Sequence, residues 1–329
     1  MTTKRRPKPV HQMTEGQFEA MFPAGDEDAC KRYLVARRWP NGVYCPRCSN
    51  VKVFPVSSMP FKWQCYACAK DQGYRFSHLA GTIFENTNKP LRQWFKVVHL
   101  MTTSKKGISS LQIQRQMGFG SYETALNMTH KIRTAMIEPQ EKLGGIVEVD
   151  ETWVGGKDHN RHWNKRHHGM GGGAGTGKTP IIGAVQRKGN VVTRVLEKVN
   201  GKSVEAFVRE TVSDKVSLLA TDEHQVYSGL KEYPRKSVHH KIEQYVVGAV
   251  HTNTIEGFWS LFKRGVVGTF HKVSNKYLSL YVAEFQFRYN NRQNPDIFRR
   301  DHKGLLTFYP PLLSDREVGR KGAIPSAHC

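Results

Sequence analysis

Apolar positions in the N-terminal third of the chain change from helical to strand-like spacing and back again. Residues 11–38 carry apolar side chains at helical intervals, interrupted at residues 23–25 by a proline and a glycine. Aromatic residues then occur in strand-like runs as far as about Gly81, and helical spacing resumes after Pro90. Because apolar residues about 3.6 positions apart indicate an amphipathic helix, the pattern predicts helices on both sides of a short β-rich segment.

The following segment, residues 108–136, resembles a helix-turn-helix. Residues 118–120 supply the turn, and Ser121 is a good N-cap for the second helix. That helix carries Lys131 and Arg133, whose charge suits contact with DNA. A helical hairpin with no DNA-binding role would show the same periodicity, so the pattern leaves both interpretations open.

After residues 144–145 the pattern becomes that of a mixed α/β domain. IVEVDETWVGG alternates like a strand, and PIIGAVQRKGNVVTRVLEKV predicts a hairpin that turns at Gly189 and Asn190. SVEAFVRETV predicts a short helix, VSLLATDEH another strand, and residues 252–289 are again helical. Three strands in series, followed by alternating helix and strand, predict a mixed sheet covered by helices.

The charge of the chain indicates a polyanionic partner. Its 329 residues include 50 Lys and Arg against 28 Asp and Glu, which gives a formal net charge of +22. An excess of this size points most simply to nucleic acid. No stretch approaches the ~20 apolar residues of a membrane-spanning helix, and the basic N-terminus lacks the apolar region of a secretory signal. We therefore expect a soluble intracellular protein with no membrane partner.

Four of the six cysteines form two CxxC pairs, Cys45 with Cys48 and Cys65 with Cys68. In a reducing compartment this spacing is typical of a structural zinc site with four thiolate ligands. Such an ion holds together a segment too short to fold on its own core. Cys30 and Cys329 stand apart from the pairs, and we interpret them as plain thiols.

Three acids stand where a two-metal site needs them. Asp150 and Asp222 each end an apolar strand in the predicted pattern, and Glu256 lies on a predicted helix. Carboxylates on rigid elements can hold two Mg²⁺ ions about 4 Å apart for phosphoryl transfer. Glu148 and Glu151 flank Asp150, and Glu148, two residues back on the same strand face, is a candidate reserve ligand.

The helix of Glu256 has one polar face. Asn253, Glu256, Ser260 and Lys263 recur at helical intervals, while Phe258, Leu261 and Phe262 occupy the other side. A functional face would place Glu256 on metal and Lys263 on a phosphate. An ordinary exposed face would have the same spacing.

The stretch GGAGTGKT, residues 172–179, matches the phosphate-binding P-loop pattern. That motif requires a buried strand before the glycines and a helix beginning at Lys178 and Thr179. Here a polar basic segment precedes it, and Pro180 and a strand pattern follow. We therefore predict no nucleoside triphosphate site. If the loop of residues 157–179 meets phosphate, we expect a DNA backbone. Four histidines in this loop suggest a second metal site by residue type, but we do not predict one.

Taken together, these motifs resemble a bacterial insertion-sequence transposase of the DDE superfamily, in the zinc-ribbon group related to the Merlin elements. The segments that carry the resemblance cover nearly the whole chain in the expected order: RWPNGVYCPRC, CYAC, VEVDETWVGGK, GKTPIIGAV, TDEHQVYSGL, HTNTIEGFWSLFKRGVVGTFH and EFQFRYNNR.

The resemblance implies an RNase H-like catalytic core in which Asp150, Asp222 and Glu256 bind two Mg²⁺ ions. In this group the third position can be an asparagine, which makes Asn253 the rival ligand. We favour Glu256 because a carboxylate binds a hard cation better than an amide does. Candidate phosphate contacts beside this face are Lys263, Arg264 and Lys272.

The resemblance also implies a multidomain arrangement. We expect a helical lead-in (1–36), a zinc ribbon (37–89), a helix-turn-helix-like segment (90–143), an RNase H-like catalytic domain (144–310) and a tail (311–329). The ribbon and the helix-turn-helix would bind terminal inverted repeats, and the core would cleave and transfer DNA strands. The protein would act on the bacterial nucleoid in the cytoplasm, as a homo-oligomer on DNA. A non-catalytic zinc-ribbon DNA-binding protein is the alternative.

Overall fold

The computed structural model describes residues 13–68, 73–137, 139, 141–156, 162–165, 177–237 and 251–293. These residues fall into two compact units, residues 14–96 and residues 97–293, apart from Met13, which is grouped with the second. Both termini, most of the glycine-rich loop, Cys329 and the predicted tail lie outside the described residues.

The first unit begins with the two predicted helices, α1 (Glu15–Met21) and α2 (Glu27–Arg38). Thr14 and Asp26 cap them by accepting hydrogen bonds from backbone N–H groups of the first turn. Between the helices Gly25 has φ +86°, a conformation that glycine adopts without strain. The predicted break in helical periodicity is therefore confirmed.

The rest of the first unit is a small antiparallel sheet in the order β1 (Phe54–Pro55), β2 (Lys62–Cys65), β3 (Tyr74–Ser77). Among its described residues, the buried core consists of Trp39, Cys45, Cys65, Phe76 and Ala80, with partly buried side chains packed against them. A core this small does not stabilise a fold by itself.

Helix α3 (Leu91–Thr103) begins in the first unit, and the second unit continues with α4 (Ser110–Met117) and α5 (Tyr122–Ala135). Gly118 ends α4 in the left-handed conformation at φ 65°, and the Ser121 hydroxyl caps α5. The predicted helix, turn and helix are therefore confirmed as elements.

The position of Arg133 contradicts the prediction that its charge contacts DNA. Its side chain is fully buried and pairs with Glu284, so it contributes nothing to a basic DNA-binding surface. A helical period shows which residues share a face, but it does not show what lies opposite that face.

A five-stranded mixed sheet forms the centre of the second unit, in the order β6-β5-β4-β7-β8. The strands are β4 (Ile146–Val154), β5 (Thr179–Gln186), β6 (Val191–Val195), β7 (Leu218–Thr221) and β8 (Arg235–Ser237). β4, β5 and β6 are antiparallel neighbours, whereas β7 and β8 run parallel to β4. The predicted hairpin and mixed sheet are confirmed. β8 is a short polar strand with no apolar alternation to reveal it.

Helices cover both faces of the sheet. Helix α6 (Gly201–Thr211) packs on the face of Val147 and Val149. Helices α7 (Asn253–Gly265) and α8 (Leu278–Asn290) pack on the opposite face. The predicted continuous helical stretch is wrong in its middle, where a π turn and a 3₁₀ turn separate α7 from α8. No helix among the described residues is long and apolar enough to cross a membrane.

Gly183 of β5 sets how closely α7 approaches the sheet. A Cβ atom at this position would lie 2.6 Å from Cζ2 of Trp259 and 3.2 Å from Cδ1 of Ile255. Both side chains are buried on α7. We expect Gly183→Ala to lower the free energy of unfolding by about 1–3 kcal/mol through overpacking, measured by urea denaturation.

Gly257, exposed on the same helix, is the matched control for this substitution. A Cβ atom there meets nothing within 4 Å. Gly257→Ala should stabilise the protein by up to about 1 kcal/mol through helix propensity. Equal effects of the two substitutions would contradict the packing role of Gly183.

Candidate active site

The four predicted zinc ligands converge in the first unit. The Sγ atoms of Cys45 and Cys68 lie 3.6 Å apart, and those of Cys48 and Cys65 lie 3.7 Å apart. Tetrahedral zinc with Zn–S bonds of about 2.3 Å separates its sulfurs by about 3.8 Å. All four sulfurs lie within 4.8 Å of one another, so the geometry fits a single zinc ion.

The electrostatics of the four thiols also favour a cation. The neighbouring thiols, Cys48 first, raise the pKa of Cys68 to about 12. Four sulfurs this close cannot all ionise unless positive charge lies among them. Cys30 is buried elsewhere in the unit, where burial raises the pKa of its thiol to about 12. It is not one of the four clustered cysteines.

In the second unit, Asp150 and Asp222 meet at one edge of the central sheet. β4 pairs in parallel with β7, with Ile146 opposite Leu218 and Glu148 opposite Ala220. Two further steps in the same register place Asp150 opposite Asp222, directly after the last residue of β7. Asp222 follows its strand as predicted. Asp150 does not end β4, because antiparallel pairing with β5 continues the strand to Val154.

Glu151 is the third member of this cluster, which sequence reasoning noted only as a neighbour of Asp150. Carboxylate oxygens of Asp150, Glu151 and Asp222 all lie within 4.8 Å of one another. The side chain of Glu151 is only 8% exposed. Two consecutive acids inside an apolar strand were the available signal, since an unpaired buried carboxylate is rare.

Burial and mutual repulsion disfavour negative charge at this cluster. Burial raises the pKa of Asp150 to about 6, and the charges of Asp222 and Glu256 add to the rise. Burial likewise raises the pKa of Glu151 to about 7, while the hydroxyl of Tyr227 opposes that rise. A divalent cation would reverse this balance by compensating the carboxylates, so the donor set fits a metal ion.

The predicted polar face of helix α7 is exposed to solvent. It consists of Asn253, Glu256, Ser260 and Lys263. Glu256 accepts a hydrogen bond from the Thr252 hydroxyl at 2.7 Å. It lies outside the group of oxygens within 4.8 Å of one another. The charges of Glu256 and Lys263 nevertheless shift the pKa of Asp150, in opposite directions. The face is therefore directed toward the cluster.

Glu148 is not a reserve metal ligand, because both of its oxygens are engaged. It is fully buried and pairs with Nε of Arg187 at 2.6 Å. It also accepts hydrogen bonds from the backbone N–H groups of Thr254 at 2.8 Å and Ile255 at 3.0 Å. Glu148 thus fixes the N-terminus of α7 against β4, and with it the position of Glu256.

The three predicted phosphate contacts, Lys263, Arg264 and Lys272, are all exposed. Thr179 begins strand β5 instead of a helix, as expected from the residues that follow the P-loop-like match. Residues 157–161 and 166–176 lie outside the described part of the chain, and with them three of the four loop histidines.

Two family profiles match the chain in separate segments. The transposase zinc-ribbon domain matches residues 25–71, and the ISXO2-like transposase domain matches residues 142–290. A Halobacterium salinarum protein described as an uncharacterized protein in transposable element ISH50 is 30% identical over 285 residues. That match covers 83% of this chain and 92% of the relative.

Among solved structures, a chain of the cryoEM structure of the simian T-cell lymphotropic virus intasome in complex with PP2A regulatory subunit B56 gamma aligns with 71% of this chain and 75% of its own length. Its TM-score of 0.27 and 12% identity are too low to support an argument about the fold. The family profiles and the ISH50 relative are sufficient: the chain belongs to the insertion-sequence transposases of the DDE superfamily, with a transposase zinc ribbon and an ISXO2-like transposase domain.

Proposed function

We propose that the protein binds the terminal inverted repeats of an insertion sequence and catalyses Mg²⁺-dependent DNA strand cleavage and strand transfer. One observation carries the proposal: in a chain of this family, Asp150 and Asp222 meet at the end of β7, within the electrostatic reach of the polar face of α7. A protein that only binds DNA has no use for such a buried acidic cluster.

We assign the central sheet to an RNase H-like core. Three antiparallel strands followed by two strands parallel to the first support this assignment. The parallel pairing of β4 with β7 brings the middle of β4 beside the end of β7, where Asp222 lies. α7 then lies across the face of β4 that carries Asp150. Side chains on regular strands and a helix have defined positions, as a site that positions a reacting phosphate requires.

We assign Asp150, Asp222 and Glu256 to holding two Mg²⁺ ions, with Asn253 as the rival for the third position. Bound Mg²⁺ supplies Lewis acidity that favours attack on a phosphodiester and departure of the leaving oxygen. The acids orient the site, while Lys263, Arg264 and Lys272 are placed to bind DNA phosphates. No side chain acts as nucleophile: water attacks at the element end, and the freed 3′-hydroxyl then attacks target DNA.

We assign the zinc ribbon and the α4–α5 segment to recognition of the element ends. The +22 charge supports affinity for the phosphate backbone, and side chains that reach base edges would provide sequence choice. Cleavage of two ends in one event would need at least two copies of the chain, so we propose a homo-oligomer on DNA.

The test is metal-dependent cleavage of DNA that carries the element's ends. Asp150→Ala, Asp222→Ala and Glu256→Gln should each lower the rate about 10²–10³-fold, because each removes part of the metal-dependent stabilisation of the transition state. Glu210→Gln is the control, since Glu210 is exposed on α6 and pairs with Arg194. Equal cleavage by all four variants would instead favour a non-catalytic DNA-binding protein.

A further inference from the structure

We propose that Glu151 is a direct ligand in the divalent-metal site of Asp150 and Asp222, so that three carboxylates from two adjacent strands hold the inner cation. This proposal rests on the proposed function, because it deepens the metal site assigned there. It differs from the expected set in placing Glu151, which sequence reasoning gave no such role, ahead of Glu256 in proximity to the cation.

The strand geometry explains how two consecutive residues can reach the same ion. Neighbouring side chains on a strand point to opposite faces of a sheet, so Asp150 lies on the α7 face and Glu151 on the α6 face. Pairing between β4 and β7 ends at Glu148. Beyond that point the edge of β4 is not covered by β7, and side chains from both faces can turn around the edge. There they meet Asp222 at the end of β7.

Glu151 itself lacks the partners that a buried carboxylate needs. Its side chain is 8% exposed, and Oε1 has no hydrogen-bond partner among the described residues. Glu151 also forms no ion pair with a lysine or arginine among the residues that the structure describes. Buried carboxylates are normally paired or coordinate metal, and oxygen ligands are those that Mg²⁺ and Mn²⁺ prefer.

Glu148 and Glu256 are the other two glutamates that could bind a cation beside Asp150 and Asp222, and both differ from Glu151. Glu148 is fully buried, but Arg187 and the α7 N-terminus occupy its oxygens. Glu256 is exposed and already accepts a hydrogen bond from Thr252. Of these three glutamates, Glu151 alone combines burial, an unpartnered oxygen and a place in the 4.8 Å group.

Tyr227 provides the outer support for this ligand. It lies in the short 3₁₀ turn after Asp222, fully buried, with its hydroxyl beside Glu151. The hydroxyl has no hydrogen-bond partner that meets full geometry among the described residues. It can therefore donate to a Glu151 oxygen once the carboxylate turns toward a cation. Partners of this kind fix the orientation of a metal ligand.

The experiment measures Mn²⁺ binding directly, by electron paramagnetic resonance of free Mn²⁺ with the zinc-loaded full chain. Glu151→Gln should raise the Kd for Mn²⁺ at least about tenfold, and Asp150→Asn should do the same. Glu210→Gln should bind as the wild type does. If Glu151→Gln binds Mn²⁺ with wild-type affinity while Asp150→Asn loses affinity, the proposed role of Glu151 is overturned but the metal site is not. The proposed metal site itself fails if the wild-type chain does not bind Mn²⁺. It also fails if Asp150→Asn leaves Mn²⁺ binding unchanged.

Thermal unfolding of the same variants separates a ligand from a merely structural glutamate. Without divalent cation, Glu151→Gln should unfold at the same temperature as the wild type or higher, because it removes a charge from a repulsive cluster. With Mn²⁺ the order should reverse, since only the wild type gains the full stabilisation of binding. A lower unfolding temperature for Glu151→Gln under both conditions, with an equal Mn²⁺ shift, would show a structural role and overturn the proposal.

Discussion

Removal of zinc is expected to unfold the zinc ribbon around β1, β2 and β3 while the second unit stays folded. Among the described residues of the ribbon core, the buried Cys45 and Cys65 belong to the four-cysteine cluster. The other buried residues, Trp39, Phe76 and Ala80, and the partly buried side chains around them form a core too small to offset the entropy of ordering the segment. Structural zinc contributes an apparent binding free energy of about 10–16 kcal/mol in small zinc-binding peptides, so its loss leaves the ribbon without its main source of stability.

The ribbon also carries a reporter of its own folding. Trp39 and Trp63 pack with ring centroids 5.2 Å apart, and Trp39 is buried. A strong chelator, or Cys65→Ala, should shift tryptophan emission to longer wavelength and open the ribbon to proteolysis. Cys30→Ala is the matched control: it removes a buried cysteine outside the four-sulfur cluster and should keep one bound zinc per chain. A ribbon that keeps its emission spectrum after complete zinc removal would contradict the prediction.

Glu284→Ala is expected to lower the free energy of unfolding by about 3–5 kcal/mol. Glu284 of α8 pairs with Nε of Arg133 of α5 at 2.7 Å, and neither side chain is exposed. Arg288 lies 3.6 Å from the other Glu284 oxygen and is itself nearly buried. Removing the carboxylate leaves two guanidinium groups in an apolar environment beside Tyr281 and Phe285, where an unpaired charge is costly.

A double-mutant cycle isolates this ion pair. The double variant Arg133→Met/Glu284→Met should lose clearly less free energy of unfolding than the sum of the two single substitutions. The reason is that each single variant leaves one buried charge of the pair without its partner, whereas the double variant removes both charges. Urea denaturation of the four proteins measures the coupling. A loss below about 1 kcal/mol for Glu284→Ala, the level of an exposed pair, would show that water reaches Arg133 and would contradict the assigned burial.

The elements of the fold could be predicted well where the apolar period was regular. The helical period with its break at residues 23–25, the hairpin around Gly189 and the capped helix after Ser121 all follow from local preferences. Local preference failed where tertiary contacts dominate. Strand β8 is polar and exists through its pairing with β7, and the end of β4 is set by its pairing with β5, so Asp150 lies within the strand.

The candidate site was predictable only in part, for a related reason. Asp150 and Asp222 were found because both stand in apolar strand patterns, where an acid is unusual. The sequence favoured Glu148 over Glu151 as a further ligand, because Glu148 shares the strand face of Asp150, and the structure reverses that preference. Their partners distinguish them: Arg187 and the α7 N-terminus hold Glu148, while Glu151 faces the other acids.

The sequence by itself identified the family, the four cysteines that cluster and the two aspartates that meet, because motif spacing and residue chemistry carry that information. The tertiary structure decided which of the remaining charged residues are accessible and what each one faces. It buried Arg133 in an ion pair, made Glu148 an anchor for α7 and brought Glu151 to the edge of β4 beside Asp222. Burial and partners arise from contacts between segments far apart in the chain, and no local spacing encodes them.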